Sequence, residues 1–393
     1  MKKIIFILVV LMVGFVCFSI YRHPFTSENV DEVSCDELFC QYYSDADDIL
    51  STMSLEEKIG QLFFVRFDES AAEEQIETYH PGGYVLFAKD FLNHTKESIS
   101  SLLQHLQGVS KVSLAFAVDE EGGSVTRVSR YPNFRESKFL SPKEIYATGG
   151  YDALESTEKE KGELLLSLGL NVNLAPVADV STNSDDFIYD RSFGKDAKET
   201  ATYVGKMVDY ANEVGISSCL KHFPGYGNNS DTHTGSAIDN RSYESFLESD
   251  FLPFESGIQE KVPMVLVSHN IMMAVDSKYP SSLSQKVISI LRDELDFSGI
   301  VITDDLAMGA IDQYRDQECV TCLAVNAGND VMIVSDIEQA YQELMDAVEN
   351  KEVSIKKINK AVKRILAWKL AYHMIDKDSI SNDFNYDSKK EQI

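Results

Sequence analysis

Basic residues are scarce in this 393-residue chain: 36 Lys and Arg stand against 63 Asp and Glu, a formal charge of −27. A surface of that sign repels phosphate backbones and anionic headgroups, which excludes nucleic acid as a partner. Cysteine is scarce too. Six residues are too few for disulfides to be the main source of stability in an exported chain of this size. Cys319 and Cys322 form a CxxC, but with no second CxxC and no nearby histidine pair the spacing excludes a zinc ribbon. The surrounding "QECVTCLAVNAG" reads as a helix with buried thiols. There is no low-complexity tract, and with 44% apolar and 10% aromatic residues the bulk of the chain has the composition of a packed protein, disordered only at its ends.

One long apolar run is present. Lys2 and Lys3 precede "IIFILVVLMVGFVCFSI", Ile4 to Ile20, close to the length that spans a bilayer. Residues 1–23 therefore read as a membrane anchor or signal segment. The lack of a small-x-small cleavage pattern favours the anchor. Val16, bulky before Cys17, argues against lipidation. The remainder is expected outside the cytoplasmic membrane, at a bacterial cell surface. Residues 24–48, polar and acidic, read as a spacer in which Cys35 and Cys40 could pair. The folded domain is expected over 49–372, opening on a Ser54/Glu57 capping box, with a polar tail over 373–393.

Along that domain, short apolar runs alternate with helix-length amphipathic stretches: Leu62 to Val65, "GGYVLFA", "SLAFAVD", "NVNLAPV", "ISSCLKHF", "MVLVSHN", "GIVITDD" and "DVMIVSD". Strands apolar throughout belong to a parallel sheet buried on both faces, and eight of them predict an α/β fold, a single (β/α)₈ barrel; a doubly wound open sheet is the alternative. Polar residues sit where the runs end: Asp119, Asp179, His222, His269, Asp304 and Asp330. In a barrel the C-terminal strand ends form the active face.

"ILRDELDFSGIVITDDLAMGA" delivers Asp304 at a strand tip, where a carboxylate can serve as nucleophile, base or ligand. This segment resembles the active-site signature of glycoside hydrolase family 3. "VDEEGGSVTR" from Val118, "LAPVADV" with "DRSFG" at Asp190 to Gly194, and "KHFPGYG" from Lys221 resemble its β-N-acetylglucosaminidase branch. The resemblance spans most of Ser54 to Lys369. It implies Asp304 as nucleophile and Asp231 with His233 as an acid/base dyad. Asp119, Arg191, Lys221 and His222 would grip the hydroxyls of a terminal sugar, with Asp305 turned to the scaffold. No cofactor or metal is implied. The expected partner is a carbohydrate, GlcNAc-containing cell-wall fragments, acted on by a monomer.

A retaining glycosidase normally pairs a nucleophilic carboxylate with a second carboxyl as acid/base. No glutamate presents itself here. His233 must carry the proton, and Asp231 beside it stabilises the imidazolium and fixes the ring. The sequence departs from the branch pattern at Tyr226 (usually His), at Asn228 (usually Asp) and in a loop one residue shorter before Asp231. Within the family, a β-glucosidase or other exo-glycosidase, or a phosphorylase using phosphate in place of water, are the alternatives. Outside it stand a hydrolase with His222, Asp231 and His233 as metal ligands, and a sugar-binding module without chemistry.

Overall fold

The computed structural model describes residues 37–227, 229, 237–315 and 317–376. Asp231, His233, Asn228, Cys35, the apolar run and the last residues of the tail lie outside them. Eight parallel strands form a closed barrel: β1 (Phe63–Arg66), β2 (Gly83–Leu86), β3 (Ala115–Val118), β4 (Val172–Asn173), β5 (Ser217–Phe223), β6 (Met264–Val267), β7 (Ile300–Asp305) and β8 (Val331–Val334). They pair in chain order, and β8 returns to β1 through Phe63 opposite Met332. Each expected run supplies one strand. β2, β3, β5, β6 and β8 are buried at every residue, because side chains alternate between the barrel interior and the helical shell and neither side is water.

Helices fill the connections, among them Ala72–Tyr79, Lys96–Val109, Pro142–Ser167, Ala197–Val214, Val320–Ala327 and Ile355–Ala371. Ser54 caps the Leu55–Gly60 helix with the expected capping box. Its hydroxyl accepts from the Glu57 amide, and the Glu57 carboxylate accepts from the Ser54 amide at 2.8 Å. The closing helix buries Trp368, whose indole N–H donates to Ser217 Oγ at 2.9 Å. No helix among the described residues is long and apolar enough to cross a membrane.

Three expectations are corrected. Asp330 precedes β8 rather than following it, so it lies at the N-terminal end of the barrel. There it binds Arg292 and Arg364, each at 2.6 Å, and accepts from the Val301 amide at 2.9 Å. Cys319 and Cys322 are a disulfide with Cα atoms 5.2 Å apart, at the start of the Val320–Ala327 helix, and not buried thiols. The spacer is shorter than 24–48. A helix over Tyr43–Thr52 packs on the closing helix, buries Ala46 and Ile49, and is preceded by buried Phe39. Leu38, Tyr42 and Tyr43 pack beside them, and Asp47 pairs with Lys363 at 2.6 Å. Cys40 is disulfide-bonded.

Lys369 plugs the N-terminal end. Its fully buried ammonium donates to Gln61 Oε1 (2.8 Å), the Gly82 carbonyl (2.8 Å) and the Ser113 carbonyl (2.7 Å), residues that lead into β1, β2 and β3. Burial pushes its pKa down to about 7, while three acceptors for three N–H groups favour the charged form. Lys369→Met should keep the volume and strand Gln61 Oε1 and the Ser113 carbonyl, while the Gly82 carbonyl keeps the Ala115 amide as donor at 3.0 Å. At ~1–3 kcal/mol for each buried group left unsatisfied, urea unfolding should show a loss of at least ~2 kcal/mol. A loss under ~1 kcal/mol would show that the plug is not needed.

Candidate active site

At the C-terminal end of the barrel a cavity of about 390 Å³ opens, lined by Asp119, Arg127, Arg191, Lys221, His222 and Asp304, and also by Arg66, Phe87 and Asp305. All four expected sugar-gripping residues and the expected nucleophile therefore meet in one place. Asp119 follows β3, Lys221 and His222 lie at the end of β5 and Asp304 at the end of β7, while Arg191 comes from the long segment between β4 and the Ala197–Val214 helix. The Lys221–His222 peptide is cis, and both side chains line the cavity.

A buried charge network sets their positions. Lys221 Nζ lies 2.7 Å from Asp119 Oδ1 and 2.6 Å from Glu121 Oε1. Arg191 donates to both Glu121 oxygens, at 3.0 and 2.7 Å, and its Nη2 lies 3.1 Å from His222 Nε2. Since a guanidinium only donates, His222 Nε2 accepts and Nδ1 carries the proton, given to Asp179 at 2.7 Å. Both ring nitrogens are thus committed, which leaves His222 no lone pair for a metal. Burial would raise the Glu121 carboxyl, but Arg191 and Lys221 overcome it and hold it well below the carboxylate range. Asp119 is likewise lowered by Lys221 and Arg127 against burial, and Lys221 is raised by the two carboxylates against its own burial.

The neighbouring aspartates of β7 are in different situations. Asp304 Oδ1 accepts from the Asp305 amide at 2.8 Å. Asp305 accepts from the Ala307 amide at 2.9 Å, faces Arg66 Nε at 3.2 Å, and its carbonyl receives His269 Nε2–H at 2.9 Å. Burial raises the Asp305 pKa. The expectation that Asp305 would bond to the scaffold holds, although its carboxyl also borders the cavity.

Gly225 and Gly227 are closely surrounded by their neighbours. A Cβ on Gly225, at φ 121°, would sit 2.3 Å from Asp250 Oδ1, and one on Gly227, at φ 52°, 2.6 Å from the Arg241 guanidinium. Only glycine fits either position. Arg241 in turn binds Asp239 and Asp250, each at 2.7 Å, and Asn229 donates to Asp239 at 2.7 Å. Tyr226, where the resemblance expects histidine, is buried edge-on to His222 with ring centroids 5.0 Å apart, and its amide donates to Asp179 at 2.7 Å.

Sequence reading passed over Glu121, Glu120, Arg127 and Arg66. Glu120 is fully buried and accepts from the amides of Arg127, Val128 and Ser129, fixing the turn that presents Arg127. The doubled acid before two glycines in "DEEGG" was the available signal: two adjacent carboxylates at a buried strand end need separate cations or amides.

An eight-stranded α/β barrel whose cavity is lined by a strand-end carboxylate with a single hydrogen bond among the described residues, and by fixed donors and acceptors, is the architecture of a carbohydrate-cleaving enzyme. The chain belongs to glycosyl hydrolase family 3, whose N-terminal domain matches residues 54–368. It is similar to Beta-hexosaminidase A of Pseudoalteromonas piscicida, with 30% identity over 324 residues, 74% of this chain and 54% of the relative. It is also similar to Beta-hexosaminidase LpqI of Mycobacterium tuberculosis, 27% identical over 334 residues, 82% of this chain and 84% of the relative. Among solved structures, a family 3 β-N-acetylglucosaminidase from Paenibacillus superposes with TM-score 0.76 at 29% identity, covering 82% of this chain and 63% of that one. M. tuberculosis LpqI superposes with TM-score 0.73 at 26% identity, covering 81% and 95%. The chain thus spans about half of the Pseudoalteromonas relative, under two thirds of the Paenibacillus chain and most of the mycobacterial one.

Depressed carboxyls contribute stability that is present above their unfolded pKa, near ~4, and lost as pH falls through the folded value. With Asp119 and Glu121 both lowered, the wild type should lose stability steeply below pH ~4. Glu121→Gln should be less stable at neutral pH and lose less on acidification. Urea midpoints measured from neutral to strongly acidic pH check this, and parallel profiles for the two proteins would refute it.

Proposed function

We propose that the chain is an exo-acting, retaining β-N-acetylglucosaminidase that removes terminal GlcNAc from cell-wall (muropeptide) fragments outside the cytoplasmic membrane. The observation that carries this reading is the cavity itself, lined by Asp304 together with Asp119, Lys221, Arg191 and His222, which ion pairs and hydrogen bonds fix in place. Donors and acceptors locked in that way suit one sugar ring and close the far end against a longer chain, which supports exo-action. The names of the hexosaminidase relatives support the N-acetyl sugar. The apolar run at Ile4–Ile20 supports the location.

In the first step an Asp304 oxygen attacks the anomeric carbon while His233 donates its proton to the departing glycosidic oxygen. The C–O bond to the aglycone breaks and a glycosyl ester on Asp304 forms. In the second step His233 removes a proton from water, whose oxygen attacks the same carbon and expels the carboxylate. Two inversions give net retention. Asp231 stabilises the imidazolium and orients it.

General acid catalysis contributes on the order of 10²- to 10⁴-fold where the leaving group needs protonation. His233→Ala should therefore slow cleavage of alkyl and sugar aglycones far more than of activated aryl glycosides. Equal losses would make His233 structural. Mass spectrometry of enzyme inactivated by a slow fluorinated N-acetylglucosaminide should find the label on Asp304; a label on Asp305, or an α-configured first product by proton NMR, would overturn the assignment.

A further inference from the structure

We infer that Arg66 forms an oxyanion site on the aglycone side of the cavity, reading a carboxylate on the leaving group or a phosphate in its place. The inference rests on the glycosidase reading above and adds a charge requirement to it. Arg66 ends β1 with its side chain 47% exposed, and it lines the same cavity as Asp304. Its Nε lies 3.2 Å from Asp305 Oδ2, and its guanidinium carbon stands 4.6 Å over the Phe87 ring. Those two contacts fix the plane of the fork. Its two terminal nitrogens carry no hydrogen bond to any described residue, and a fixed planar fork is the geometry that binds a carboxylate or phosphate through two parallel bonds.

Position favours the aglycone. Asp119, Lys221, His222 and Arg191 occupy the β3-to-β5 side, where the gripped sugar would lie, while Arg66 stands on β1, beside β8 and β2 in the barrel, next to the neighbour of the nucleophile. The other cations of the cavity are ion-paired: Lys221 with Asp119 and Glu121, Arg191 with Glu121, and Arg127 with Asp119 at 3.4 Å, its buried Nε alone having no partner among the described residues. On a chain of charge −27, a cation with free donors at the cavity mouth offers an anion the local attraction that the rest of the surface denies it.

The test compares aryl β-N-acetylglucosaminides of 4-hydroxyphenylacetate and of its uncharged amide, leaving groups of matched acidity, with and without phosphate. Wild type should favour the carboxylate in kcat/KM by about tenfold, as a charge-assisted pair allows. Arg66→Leu should erase that preference, and Arg66→Lys should keep part of it. If instead phosphate speeds turnover of the amide in wild type but not in Arg66→Leu, with the sugar 1-phosphate as product, the site is confirmed with phosphate as its ligand. An equal loss on both substrates would mean that Arg66 acts only through Asp305, and the inference fails; it fails equally if wild type shows neither preference. Binding of 4-hydroxyphenylacetate alone, followed by ligand-observed NMR, reports independently of turnover: binding lost in Arg66→Leu upholds the site even if no glycoside is cleaved, which would fault the glycosidase reading instead, whereas binding unchanged in the variant overturns it.

Discussion

The ammonium of Lys221, held between Asp119 and Glu121, is the contact from which the rest of the site is laid out. A buried cation is expensive unless paired with good geometry. Here two carboxylates from the turn after β3 meet it from β5, joining rim segments that the backbone ladder does not join directly. Glu121 passes the constraint on by binding Arg191 through both oxygens, and Arg191 then decides which nitrogen of His222 carries the proton. Removing one member would leave another charge buried without its partner. The gain from such a network is a fixed set of donor and acceptor directions more than net stability.

The two ends of the barrel use buried charge in opposite ways. At the N-terminal end, Asp330 is shared by two arginines and a backbone amide, and Lys369 finds three acceptors, so these groups are consumed by the fold. At the C-terminal end capacity is left over. Arg127 Nε is buried with no partner among the described residues, and the carboxylate of Asp304 accepts one backbone bond there. A group that the fold leaves unsatisfied in a cavity is one that a ligand can satisfy.

Much of this was legible in the sequence because the strands are buried on both sides. Continuous apolar runs at helix-length spacing admit few folds, and the polar residue closing each run marks the rim. Asp330 escaped that logic because "NDVMIV" places its acid before the run; polar ends of both kinds look alike until strand direction is known. The disulfide at Cys319 and Cys322 was hidden by helical periodicity, which describes Cys322 but not Cys319, the residue that caps the helix. The docking of residues 37–48 was hidden by composition. Charge dominates the average there, while packing depends on buried Phe39, Ala46 and Ile49, with Leu38, Tyr42 and Tyr43 half-buried beside them. The network partners Glu120 and Glu121 were quoted within a motif, but only the spatial arrangement shows that they bind different groups, amides for one and cations for the other.

Adjacent carboxylates at one strand tip pose a chemical problem that their surroundings resolve. If both were equally free, each would raise the other's pKa and either could attack a sugar. Asp305 is withdrawn from that competition by the Ala307 amide, by Arg66 and by the pull of His269 on its carbonyl, with Ser282 fixing the imidazole at 2.7 Å. Its own amide then binds Asp304 Oδ1, which holds in place a carboxylate that lines the cavity. Environment thus divides two identical side chains into a brace and a candidate nucleophile, the same principle by which paired acids in other sites acquire separate tasks. Arg66 contacts both the brace and the cavity. By holding Asp305 with Nε alone, it keeps its remaining donors for whatever arrives beside the bond to be broken.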